Sequence, residues 1–230
     1  MAARRAAEPL QPMYHYEERY PRATAASTMK DSSTASDRSG RIKGAALRQF
    51  LLWYQEQLGE PAFSNCFADL APDLASQLSI GADALGIINA RWYDCRLIHG
   101  ILDTLTADMS EESKLALTVE GSKAVMDHTL RGIYQTLFQW MANPKRYARH
   151  GEKIWSTYYD SGDFKIQSSE ESRRAVCTIR NWSSHHPILC DMNRGASTAI
   201  YRAMGLPQAN CVREACVAQG ANECRFVTTW

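Results

Sequence analysis

A chain of 230 residues with 45% hydrophobic and 22% charged side chains can bury one sizeable core. Lys+Arg 26 against Asp+Glu 25 leaves a formal charge of +1, which excludes the broad electrostatic footprint of a nucleic-acid-binding or membrane-surface protein. No run approaches the roughly 18 consecutive apolar residues of a membrane-spanning helix, and seven cysteines, an odd number, argue against a closed disulfide framework.

In chain order, "MAARRAAEPLQPMYHYEERYPR" carries paired arginines with no apolar stretch behind them, so no export signal is expected. A cytoplasmic location with reduced cysteines follows from that reading. Residues 1–40 mix Arg, Ala, Ser, Thr and Pro without apolar periodicity and read as a disordered leader to one domain over 41–230. "KGAALRQFLLWYQEQLG" is an amphipathic helix: Ala46, Phe50, Trp53 and Tyr54 recur at helical spacing and Gly59 stops it. "FSNCFADLAPDLASQL" is helical with an interruption near Pro72, and "DALGIINARWYDCRLIHGILDTLT" reads as a longer helix with Ile87, Trp92, Cys95, Ile98 and Leu102 near one stripe. A further helix opens at Ser110, is open to division at Gly121, and ends at Asn143-Pro144.

Beyond Pro144 the period changes. "KIWSTYYDSGDFKIQSSEESRRAVCTIRNW" is aromatic and β-branched and predicts two or three antiparallel strands. "HPILCDMNRGASTAIYRAMG" returns to helical spacing between Pro187 and Gly205, and "ANCVREACVAQGANECRFVTTW" reads as a hairpin turning at Gly220-Ala221-Asn222. The expectation is an α+β fold: a helical layer on a four-stranded antiparallel sheet, with a strand-strand-helix-strand-strand C-terminal unit.

Chemistry concentrates in that unit. Cys216 and Cys224 flank the hairpin turn, where two thiolates can be held at tetrahedral geometry. Cys190, at the head of the preceding helix, can supply a third, helped by the helix dipole. Cys66, Cys95 and Cys177 sit within apolar patterns and read as core. "SSHHP" at 183–187 reads as a polar turn before the helix. Nucleophile elbows, phosphate loops, zinc-protease and dinucleotide motifs do not occur, which favours binding over catalysis.

"REACVAQGANECRF", preceded by "PILCDMNRG" at a helix head, resembles the 4-vinyl reductase domain, within the fold shared by haem nitric-oxide sensors and TRAPP vesicle-transport subunits. The resemblance implies a zinc site of three cysteines and an acid. Cys190, Cys216 and Cys224 match the thiolate positions; the acid is expected three places before Cys216, where Arg213 stands, with Glu214 one place later. Glu214 is the candidate fourth ligand if a bulge turns it inward, and Cys211, His185 and His186 are the alternatives. A shell closed by protein ligands makes such a zinc structural.

The resemblance further implies an apolar pocket between helices and sheet for an aromatic, tetrapyrrole-like or acyl ligand, with Trp92, Tyr93, His99, Tyr134 and Trp155 as candidate lining residues beside their default role as core. It implies a sensory homodimer whose output needs a partner protein or a dimer rearrangement. A reductase-like factor of tetrapyrrole metabolism and a TRAPP-like acyl-binding interaction protein are the alternatives. His99 and His128 are haem ligands in principle, but the Tyr-x-Ser-x-Arg signature of the haem sensors lacks its arginine in "YYDSGDF", which argues against haem.

Overall fold

The computed structural model of the chain describes residues 40–131 and 143–230. Apart from Gly40, the expected leader lies outside them, as does Tyr134. Strand β1 (Arg41–Lys43) pairs antiparallel with β2 (Trp92–Asp94), Ile42 opposite Tyr93. Between them run α1 (Arg48–Leu58), stopped at Gly59 with φ 76°, and the short helices α2 (Glu60–Asn65) and α3 (Pro72–Ala75). A tight turn at Asp83–Gly86 follows, in which buried Ala84 and Leu85 hold φ values of 49° and 56°. Side chains need a reason to adopt that left-handed backbone. Here Gln55 Oε1 accepts from Ala84 N–H at 2.9 Å, and the Arg48 guanidinium donates to the carbonyls of Asp83 and Ile87.

The long helix expected across 83–106 is therefore broken. Trp92 lies on a strand rather than a helical stripe, and α4 (Cys95–Thr106) starts only where the Asp94 carboxylate accepts from Arg96 N–H at 2.8 Å. Cys95, Ile98 and Leu102 do share its buried face. α5 (Glu111–Arg131) runs unbroken through Gly121, whose missing side chain admits the Phe50 ring of α1. Asn143-Pro144 starts a helix: the Asn143 side chain caps α6 (Pro144–Trp155) by accepting from Arg146 N–H at 2.9 Å. Lys153, Ile154 and Trp155, expected in a strand, end that helix because Tyr147, Gly151 and Trp155 bury one face at four-residue spacing.

The sheet comprises β3 (Asp163–Ser169), β4 (Arg174–Arg180), β5 (Asn210–Ala215) and β6 (Cys224–Thr229), all antiparallel in the order β3-β4-β6-β5. α7 (Pro187–Ala203) intervenes between β4 and β5. The fold is α+β, as expected. α6 lies against β3 and α7 against β5 and β6; α7 packs on α5, and α5 on α1. One core joins these layers from Phe50 and Ile98 through Trp155 and Trp182 to Cys190, Cys216, Cys224 and Phe226. No described helix is long and apolar enough to cross a membrane.

A candidate metal centre of three cysteines and one histidine

Four segments converge beside the first turn of α7. His186 is the N-cap of that helix, its Nδ1 accepting from Ile188 N–H at 3.2 Å, and Cys190 follows within the helix, fully buried. Cys224 begins β6 opposite buried Ile179. Cys216 directly follows β5, and the turn beyond it fixes its carbonyl, which accepts from Gln219 N–H at 2.9 Å and Ala221 N–H at 3.2 Å, while Gly220, at φ 85°, reverses the chain. The loop after β4 brings His185, whose ring meets Trp182 edge-on with centroids 5.0 Å apart.

Strand parity alone would not aim Cys216 at Cys190. Arg213 faces α7, where it pairs with Asp191, and strict alternation would then turn Ala215 inward and Cys216 outward. A bulge between Arg213 and Ala215 inserts one residue against β6 and reverses the parity. Cys216 turns in and Glu214 turns out.

The ligand atoms of His185, Cys190, Cys216 and Cys224 all lie within 4.8 Å of one another. Cys216 Sγ is 3.7 Å from Cys190 Sγ and 3.4 Å from His185 Nε2. Tetrahedral zinc with Zn–S near 2.3 Å and Zn–N near 2.05 Å needs S···S edges of about 3.8 Å and S···N edges of about 3.5 Å. The two edges at Cys216 fit that geometry, and three soft sulfurs with an imidazole are a donor set that suits one zinc ion.

Without metal the four groups share protons unequally. Hydrogen bonds with Cys190 and Cys224 hold the Cys216 thiol far below its usual range, and the same contacts, with burial behind them, hold Cys190 far above it. Burial opposes charge on His185, but its hydrogen bonds to Cys216 and Cys224 and their negative charge outweigh that and push it up to about 9. These shifts favour an imidazolium beside a thiolate in the metal-free centre, and the imidazolium must lose its proton before its nitrogen can bind a cation.

The other candidate residues are placed elsewhere. Glu214 pairs with Arg174 at 3.4 Å on the exposed side of the sheet and lies outside the group of four. Cys211 is buried by Thr198 and Thr228, and His186 Nε2 meets Asp103 at 3.1 Å. Of the residues expected around an apolar ligand, Trp92 lies between the cations of Arg41 and Lys43, and Tyr93 accepts from Ile88 N–H through its hydroxyl at 2.8 Å. His99 Nε2 meets Ser184 O at 3.1 Å, and Trp155 stacks on Tyr159 and Phe164 while donating to Ser161 O. A cleft of about 230 Å³ opens between α4, α5 and the start of α7, lined by Asp103, Thr106, Lys114, His186, Ile188 and Asp191 among others. It includes none of Trp92, Tyr93, His99 and Trp155.

No family model matches the chain, and no curated protein does. Solved structures do match. An H-NOX protein from S. oneidensis in its Fe(II)NO ligation state aligns with a TM-score of 0.57 at 10% identity, over 81% of this chain and 98% of its own. The Fe(II) unliganded H-NOX protein from K. algicida gives 0.55 at 13% identity over 82% and 96%. The fold is H-NOX-like. A trafficking protein particle complex subunit 3 from Naegleria fowleri, covalently bound to palmitic acid, gives 0.41 at 11% identity over 59% and 93%. Both of these H-NOX proteins are in Fe(II) states, so the comparison lends no support to the expectation against haem. Sequence reading assigned no part to Arg213, Asp191 and Arg194, which lie against the cysteines; its only signal was a positive charge where the resemblance asks for an acid.

Proposed function

We propose that the chain is a small-molecule-binding sensory domain of the 4-vinyl reductase type, holding an apolar ligand between helices and sheet and knitted at its C-terminal end by a structural zinc ion. The observation that carries this reading is the group His185, Cys190, Cys216 and Cys224, with ligand atoms within 4.8 Å of one another in an H-NOX-like fold. His185 takes the place in the shell for which Glu214 was the first candidate. Four protein ligands close the shell and leave no position for activating water, so the metal's part is to cross-link loop, helix and hairpin. Cys190 and His185 give up protons to bind it, Cys216 enters as the thiolate, and Trp182 holds the His185 ring in orientation. A homodimer, with output through a partner protein, is part of the proposal.

Native mass spectrometry of the full chain tests it. One zinc per chain, lost on denaturation, together with a co-purifying apolar molecule, is the expected result. Purified protein without zinc that also fails to take it up overturns the metal assignment. A haem-mass adduct with stoichiometric occupancy would move the ligand from an apolar effector to haem.

A further inference from the structure

Behind the cysteines lies a buried run of charge. Asp191 directly follows Cys190 on α7, and Arg213 reaches it from β5, Nη1 to Oδ1 at 3.0 Å. Arg194 Nε approaches the same oxygen at 3.7 Å. The three side chains are only 17%, 21% and 14% exposed. Arg213 also lies near enough to the Cys190 sulfur for that group to help hold its charge, so one guanidinium faces both a carboxylate and a thiol of the proposed metal shell. Burial works against its charge, but Asp191 and Cys190 more than compensate and raise its pKa.

The charges close. Three thiolates and a neutral imidazole around a divalent ion sum to one negative charge, and Arg213, Asp191 and Arg194 sum to one positive. An uncompensated buried charge costs several kcal/mol, so the loaded centre is stabilised by a cation set against its sulfurs. An acid among the ligands would have made the centre more negative by one. Here the fourth ligand is a neutral histidine and the strand adds an arginine, and both differences drive the loaded centre toward neutrality.

We infer that Arg213, anchored by Asp191, is the positioning residue that sets the donor strength of the Cys190 thiolate and holds a divalent ion in the centre. The inference rests on the metal reading above. It assigns Arg213 no contact with the metal itself. A guanidinium facing the sulfur draws electron density from it and favours the thiolate over the thiol.

The test uses the full chain loaded with Zn²⁺ or with Co²⁺ as a spectroscopic probe. Arg213→Met should lower zinc affinity by about 10–100-fold in chelator competition, the usual effect of losing an outer partner of a metal ligand. Its sulfur-to-Co²⁺ charge-transfer band should move to lower energy, a shift that mere loosening of packing would not produce. Arg213→Lys keeps the charge without the fork, and should hold zinc within about threefold while still shifting the band. Zinc affinity within twofold of wild type and an unmoved band in Arg213→Met overturn the inference and leave the metal site standing. A wild-type chain that binds neither ion sinks both. Should Arg213→Met not fold, Arg213→Lys decides alone: a band coincident with wild type overturns the inference.

Discussion

His185 and Glu214 offer opposite mutational outcomes. His185→Ala removes a ligand and should leave less than one zinc per chain after dialysis, whereas Glu214→Gln disturbs only an exposed ion pair with Arg174 and should keep full occupancy and stability within about 0.5 kcal/mol. Metal analysis and thermal unfolding check both. Protons give a second expectation. In the metal-free fold His185 keeps its proton up to about 9 and Cys190 holds its own higher still, so both must be released on binding. Each released proton makes apparent affinity rise by about tenfold per pH unit. Zinc affinity should therefore fall by roughly two to four orders of magnitude from pH 8 to pH 6, measurable by competition with a buffered chelator. Which thiols can meet is legible in the sequence, because two of them flank a turn and a third heads the preceding helix. The histidine is not, since His185 and His186 adjoin and no period separates them. What separates them is a role in the helix: His186 spends its Nδ1 on the N-cap, which leaves its neighbour to face the sulfurs.

At the scale of elements, α5 and α7 meet where Gly195 faces Ser122. A Cβ on Gly195 would sit 2.6 Å from Ser122 Cβ, and Ser122 is itself held by donating to Met192 O at 3.1 Å. Gly195→Ala should therefore force the helices apart and lower stability by about 1–3 kcal/mol, seen as a fall in Tm of roughly 3–10 °C. The terminal hairpin and α7 are plain in the sequence because period, Pro187 and Gly205 agree. α6 and β2 are not. α6 has a polar surface and an aromatic end that mimics a strand, while its best signal, Asn143 before Pro144, fits a stop as well as a start until the cap is seen. The break before α4 depends on a left-handed turn at Ala84 and Leu85, held from outside by Arg48 and Gln55, which no local pattern announces.

At the scale of the molecule, a bound ion would tie residue 185 to residue 224 and constrain the unfolded chain as well as the folded one. With zinc about a thousandfold above its dissociation constant, binding contributes about 4 kcal/mol, so a chelator should lower Tm by roughly 8–16 °C. Differential scanning with and without EDTA reads this directly, and an unchanged Tm would contradict a structural metal. The α+β architecture is legible from the switch of period near Pro144, but the seating of ligands on the sheet depends on one extra residue being taken up as a bulge. A strand is read two residues at a time, and the bulge at Glu214 works as a frameshift: everything before it keeps one phase, everything after it the other. Deleting that single residue, with no cysteine or histidine altered, should remove the bulge and leave a regular ladder in which Arg213 and Cys216 still face inward and Ala215 outward, so zinc uptake should survive the deletion, as it should almost any side chain at 214.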